Sequence, residues 1–202
     1  MARLIVYYAH PGHQFSHVNK EMAAAAETID GILFVDLYRE YPRHNIDVQK
    51  EQERLLGADV ILFQCPLFWY STPSIIKEWQ DLVLEHGFAY GAGGDSLVDK
   101  TMMLALSAAA PSEAYTANGY QRYPLRTFLT PLEQTAHLCR MRFVAPYVIY
   151  SSLKAPSAGS VAPHIEGYVA LLSAIRDDRY EFSRAESMEV VTPENLPLGA
   201  PE

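Results

Sequence analysis

The chain has 202 residues, 49% of them hydrophobic, with 16 Lys+Arg against 24 Asp+Glu and a formal charge of −8. A chain of this length buries roughly 70% of the surface it exposes when unfolded, enough for one sizeable core, and its acidic balance lacks the basic stripe that contact with nucleic acid requires. Cys65 and Cys139 are the only cysteines, so no disulfide framework or structural zinc site is indicated and a reducing cytosol fits best.

The first apolar run, Leu4–Tyr8, ends at His10-Pro11 and is too short for a signal h-region. No window approaches the eighteen or so uninterrupted apolar residues of a membrane-spanning helix. The run has strand length, and a helix is predicted after it over Ser16–Glu27, with Ser16 as a start signal. In chain order there follow strand Ile32–Asp36, helix Val48–Leu56, strand Val60–Gln64, helix Ser74–His86, strand Met102–Ser107, helix Arg126–Cys139, strand Phe143–Tyr150 and helix His164–Asp178. The first four strands alternate only weakly, which is the pattern of a parallel sheet covered on both faces. Strict alternation of strand and helix predicts an α/β, flavodoxin-like, doubly wound sheet of five parallel strands in the order 2-1-3-4-5, with helices on both faces. Residues 1–183 are expected to form a single domain, and 184–202 an extended or loose C-terminal arm.

In such a sheet ligands bind beyond the carboxyl ends of the strands. The loop after strand 1 runs His10-Pro11-Gly12-His13-Gln14-Phe15-Ser16-His17-Val18-Asn19 and contains neither GxGxxG nor GxxxxGK[ST]. Taken alone it reads first as an ordinary capped helix start and second as a phosphate site on free N–H groups. His10, His13 and His17 suggest a metal, but no HExxH pattern is present and Glu21 is the one carboxylate nearby in sequence, so no metal site is expected.

The loop after strand 3, Pro66-Leu67-Phe68-Trp69-Tyr70-Ser71-Thr72-Pro73, sets four large apolar side chains in a row. They form either a wall for a flat ligand or a segment packed under a helix or at a subunit interface. After strand 4, Ala108-Ala109-Ala110-Pro111 leaves room for a ring to approach the backbone, and Tyr115 adds an aromatic face and a hydroxyl. No nucleophile elbow and no paired carboxylates are evident, which favours a bound cofactor as the source of reactivity.

Tyr8-Ala9-His10-Pro11 with Ser16-His17-Val18-Asn19, the Pro66–Pro73 loop with Lys77, Trp79, Asp81 and Val83, and Phe88-Ala89-Tyr90-Gly91 with Gly93-Gly94, Leu97 and Lys100 resemble the DT-diaphorase-like NAD(P)H:quinone oxidoreductases over residues 4–150. Tyr41-Pro42 with Asn45-Ile46-Asp47, the stretch from Ser112 to Pro124, and Cys139-Arg140-Met141 are most similar to the ancillary proteins of glutathione-gated potassium-efflux systems. The resemblance implies a homodimer that binds FMN and passes two electrons from NADH or NADPH to a quinone. It implies that His10, Ser16, His17, Val18 and Asn19 hold the flavin phosphate and ribityl chain. Pro66, Leu67, Phe68 and Trp69, with the Tyr70 backbone, would line the ring edge, and Ala108, Ala109, Ala110 and Pro111 its pyrimidine side.

Two positions depart from the family pattern. Ser107-Ala108-Ala109-Ala110-Pro111 replaces Thr-Thr-Gly-Gly, and Gln121 stands where the family carries a histidine six positions after the active-site tyrosine, here Tyr115. Glutamine donates a hydrogen bond but does not titrate near neutrality. Two functions follow: a cytoplasmic quinone reductase that also activates a membrane potassium-efflux transporter from the inner face of the membrane, or a regulatory subunit of that transporter with weak or absent redox activity.

Overall fold

Every residue of β1 (Leu4–Tyr8) is buried, and successive side chains of a strand point to opposite faces, so both faces of the sheet must be covered. The computed structural model describes residues 1–199. β1 pairs in parallel with β2 (Ile32–Asp36) on one side and β3 (Val60–Pro66) on the other, Leu4 lying opposite both Ile32 and Val60. β4 (Thr101–Ser107) and β5 (Arg142–Phe143) complete the order β2-β1-β3-β4-β5, and a sixth strand, β6 (Tyr147–Ile149), also pairs with β4.

The predicted order is therefore present, but the expected fifth strand over Phe143–Tyr150 is split. β5 pairs with the start of β4 and β6 with its end. Between them stands Pro146, which has no N–H for the ladder, while the preceding Ala145 N–H turns to the Ala185 carbonyl at 3.1 Å.

Helices α1 (Val18–Glu27) and α7 (Val161–Arg176) cover one face, where Met22, Leu171 and Leu172 meet Leu4, Val6, Leu62 and Met103. Helices α3 (Val48–Leu56), α4 (Ser74–Val83) and α5 (Thr130–Leu138) cover the other, where Leu55, Ile75, Trp79 and Ala136 meet Ile5, Tyr7, Phe63 and Leu104. Each such fully buried aliphatic or aromatic side chain contributes roughly 1.5–3 kcal/mol. Short helices α2 (Leu37–Glu40), α6 (Ala155–Ala158) and α8 (Phe182–Glu186) fill connections.

The helix starts follow local chemistry. Asp47 accepts from the Lys50 N–H at 3.1 Å, so α3 begins where predicted. α1 begins two residues later than Ser16, yet the Ser16 hydroxyl still accepts from the Asn19 N–H at 3.1 Å. α4 ends at Val83 and not at His86, because the backbone leaves the helical region at Leu84. The predicted helix Arg126–Cys139 is a 3-10 turn, Leu125–Leu129, followed by α5 with Pro131 in its first turn. α7 starts three residues before His164, since Pro163 falls in its first turn where no N–H is needed.

The segment from 184, expected as a loose arm, is docked against β6. α8 begins just before it, Val191 is fully buried, its N–H reaches the Pro146 carbonyl at 2.8 Å, and its carbonyl accepts from Val148 at 2.9 Å. The segment attaches along the edge of β6 that faces away from β4, where Val191 bridges Tyr147. Gly167 permits the approach, because a Cβ there would stand 2.6 Å from the Tyr147 hydroxyl and 2.9 Å from Pro193 Cβ. Residues 200–202 of the predicted arm lie outside the described residues. Cys65 and Cys139 are free and buried, and burial pushes both thiols up from their ordinary value. Among the described residues no helix is long and apolar enough to cross a membrane.

Candidate functional site

The loops after β1, β3 and β4 meet at the carboxyl ends of the strands and enclose two adjoining hollows that share Leu67 and Ala109. The first, about 300 Å³, is lined by His10, Ser16, His17, Val18, Asn19, Pro66, Leu67 and Phe68 among the predicted residues. The second, about 160 Å³, is lined by Leu67, Trp69, Tyr70, Ala109, Ala110, Tyr115 and Gln121. A larger hollow of about 550 Å³ opens at the other end of the sheet, but Arg3, Lys50, Arg54 and Arg176 in its lining are each paired with a carboxylate. Their charges are spent within the protein, so that hollow offers an anion little.

In the first hollow, the N–H groups of His17 and Val18 have no partner among the described residues, which leaves the positive end of α1 open. His10 Nδ1 accepts from the Gly12 N–H at 3.1 Å, so a neutral His10 ring carries its proton on Nε2 as a donor. Burial, with His13 nearby, lowers the His10 pKa and keeps the ring neutral. His13 Nδ1 is held by the Tyr8 hydroxyl at 2.8 Å. Asn19 is buried; its Nδ2 donates to Ser107 Oγ at 2.7 Å, and its Oδ1 has no partner. Because a hydroxyl can donate as well as accept, the amide can turn over and present its NH2 to a ligand with no bond lost. Among the described residues no group of three or more His, Cys, Asp or Glu side chains could hold a metal ion.

The aromatic loop is a tight two-residue turn. Phe68 N–H reaches the Ser71 carbonyl at 2.9 Å and Ser71 N–H returns to Phe68 at 3.0 Å. Trp69 and Tyr70 between them take left-handed φ values of 49° and 65°. That turn favours Asn-Gly, and two bulky aromatic residues in it hold roughly 1–2 kcal/mol of strain each. The strain sets Trp69 92% exposed at the mouth, with Phe15 80% and Leu153 83% exposed on the same rim. Phe68 stands edge-on to His10 with ring centroids 5.7 Å apart.

Beyond β4 the candidates separate. Ala109 and Ala110 line the site, whereas Ala108 is buried in the core, with its N–H bonded to Ile149 at 2.8 Å, and Pro111 is exposed outside the lining. The Gln121 N–H reaches the Ala114 carbonyl at 3.1 Å, which folds its loop back over Tyr115. Burial raises the Tyr115 pKa, so its hydroxyl stays protonated at neutral pH. Tyr70, Tyr115 and Tyr123 all pack on Phe128, with centroids 4.9, 6.2 and 6.1 Å away.

Phe15, Ser107, Ser152 and Leu153 also line the first hollow, and Phe128 supports the second. Ser152 and Leu153 follow β6, and with the fifth strand read as one piece their loop does not stand out in the sequence. Its place is set by backbone bonds from Ser151 to Ala110 and from Ser152 to Ala108, both 3.0 Å.

These residues fit the flavin mononucleotide that the resemblance implies. Open N–H groups, a buried orphan amide oxygen and a neutral imidazole suit a phosphate and a polyol, the apolar wall suits a ring, and neither lining includes a carboxylate to repel the anion.

The family described as flavodoxin-like fold matches residues 2–172. General stress protein 14 of Bacillus subtilis (strain 168) is 43% identical over 148 residues, covering 73% of this chain and 85% of that protein. The glutathione-regulated potassium-efflux system ancillary protein KefG of Enterobacter sp. (strain 638) is 38% identical over 168 residues, covering 83% and 91%. The crystal structure of general stress protein 14 from Treponema denticola in complex with FMN superposes with a TM-score of 0.79 at 31% identity, over 86% of this chain and 99% of that one.

Proposed function

The chain belongs to the flavodoxin-like fold family, in the group that holds general stress protein 14 and the KefG ancillary proteins, and from that premise we propose that it is an FMN-dependent NAD(P)H:quinone oxidoreductase. The observation that carries this reading is the junction of an open helix start and an aromatic wall in adjoining hollows whose linings contain no carboxylate. That a related protein of the same fold holds FMN supports it.

FMN supplies the redox chemistry when bound, taking hydride equivalents from a nicotinamide and passing two electrons to an acceptor. The chain's own part is binding and orientation. The His17 and Val18 N–H groups and His10 Nε2–H would hold the phosphate, and Asn19 and Ser16 the chain that leads from it. Phe68 and Leu67 would exclude water from the ring, while the N–H groups of the Trp69-Tyr70 turn would donate to its polar edge. Tyr115 would donate to an acceptor oxygen from a hydroxyl that stays protonated. Gln121 can donate beside it but cannot give up a proton, so protons reaching the acceptor come through Tyr115 or from solvent.

The exposed Phe15, Trp69 and Leu153 at the mouth are the side chains that a second copy would cover, and we assign the active form as a homodimer. The relatives named KefG are ancillary proteins of a potassium-efflux system. We extend that role to this chain, as a cytoplasmic protein acting on a membrane transporter subunit at the inner face. The Ala109 and Ala110 methyl groups at the site support a second reading, a regulatory subunit with little turnover.

Anaerobic titration tests the proposal. The purified protein is expected to take up FMN with a shifted two-banded absorption, to be bleached by NADH or NADPH, and to be reoxidised by a benzoquinone. A protein that leaves added FMN free refutes the flavin reading; one that binds FMN but is not bleached supports the regulatory subunit.

A further inference from the structure

A polar side chain in the middle of a central strand is costly unless each of its polar atoms is paired. Gln64 of β3 is fully buried between the two helical layers and meets that condition through two distant elements. The Tyr168 hydroxyl of α7 donates to Gln64 Oε1 at 3.1 Å, and Gln64 Nε2 donates to the Asn19 carbonyl of α1 at 2.9 Å. A carbonyl can only accept, so the orientation of the Gln64 amide is set. Asn19 continues the chain, its Nδ2 donating to Ser107 Oγ at the end of β4 at 2.7 Å and its N–H to Ser16 Oγ at 3.1 Å. A buried run of hydrogen bonds thus leads from the middle of α7, along one face of the sheet at Gln64, to the first turn of α1.

Packing alone does not call for this arrangement. Methionine at 64 and phenylalanine at 168 would fill the same space with no polar atom to satisfy. What the polar run adds is direction: it fixes the height and rotation of the first turn of α1 against β3 and β4. That turn carries the open N–H groups of His17 and Val18 and the amide of Asn19. We propose that Gln64 and Tyr168 are positioning residues that act through Asn19 to aim the start of α1 at a phosphate. The inference rests on the FMN reading for the identity of that phosphate, and on the hydrogen bonds alone for the positioning.

The role predicts an effect confined to one end of the ligand. FMN and riboflavin share the ring and differ in the phosphate, so a loss of aim weakens the first and leaves the second. In the full-length protein, Tyr168→Phe and Gln64→Met are each expected to lower FMN affinity about fivefold, the scale of one net hydrogen bond, with riboflavin affinity unchanged. In the ligand-free protein, amide hydrogen exchange at Asn19 and Glu21, whose N–H groups are bonded to Ser16 Oγ and the His17 carbonyl, is expected to quicken severalfold while that of β4 stays as it was. Equal losses for FMN and riboflavin, or unchanged exchange at the start of α1, would overturn the proposal. Should wild-type protein bind neither flavin, the FMN reading falls and the exchange measurement by itself decides the positioning role. Tyr168→Phe removes a single oxygen and keeps the test decisive if Gln64→Met does not fold.

Discussion

Tyr115 and Gln121 face one hollow and divide its hydrogen-bond chemistry between them. Tyr115 is mostly buried, and loss of its hydroxyl removes a donor without changing the ring that packs on Phe128 and Tyr150. Tyr115→Phe is therefore expected to lower quinone turnover roughly tenfold, the scale of one net hydrogen bond, while FMN affinity stays within twofold. Steady-state kinetics beside an FMN titration check this, and equal turnover for the two proteins would remove Tyr115 from the reaction. Both residues are legible in the sequence through the family resemblance, which marks a tyrosine and the position six residues after it. Ala108 and Pro111 are not, since the side a residue takes at the end of a strand depends on its register with the next one. The Ala108 N–H is claimed by Ile149 across the sheet, a partner that no local spacing reveals. Asn19 is legible as a residue of the first loop, where it lines the hollow, but not as a junction, because its partners Gln64 and Ser107 are 45 and 88 positions away.

At the scale of elements, the turn Phe68–Ser71 trades stability for presentation. Tyr70 occupies its second left-handed position, where glycine carries no steric penalty. Tyr70→Gly is expected to stabilise the fold by about 1 kcal/mol through relief of that conformation, and to weaken FMN retention severalfold through loss of the wall. Thermal unfolding and FMN titration on the same variant read the two effects. A variant that gains no stability would mean that the packing of Tyr70 on Phe128, at 4.9 Å, outweighs the strain. The strands β1 and β2 coincide with their predicted ranges, because each is a short apolar run, β1 buried throughout and β2 at the sheet edge with Leu33 exposed. The division of β5 from β6 has a visible signal in Pro146, yet only the partner strand shows that the ladder resumes at Tyr147. The docked segment after α8 has no periodicity to read, because its hold depends on isolated contacts such as Val191 beside β6.

At the scale of the whole molecule, stability depends on keeping a histidine neutral. His164 of α7 is buried, stacked on Tyr147 at 4.4 Å, with the carboxylate of Glu194 nearby, and burial lowers its pKa to about 4 from an ordinary 6.5. The unfolded chain takes up this proton below about pH 6.5, whereas the folded one resists until about pH 4. Over that window the unfolded state binds more protons, so stability falls as pH falls, by on the order of 3 kcal/mol. His164→Gln, which does not titrate, is expected to flatten this part of the profile in urea unfolding at pH 6.5, 5.5 and 4.5; a slope equal to the wild type's would assign the dependence to other groups. The two buried thiols bear on the proposed chemistry in another way. Quinones are electrophiles that arylate thiolates, and so are many of the toxic metabolites that glutathione scavenges. With Cys65 sealed inside β3 and Cys139 behind α5, both held as thiols, the protein offers such compounds no exposed thiolate. An enzyme built this way can turn over reactive substrates without becoming their target.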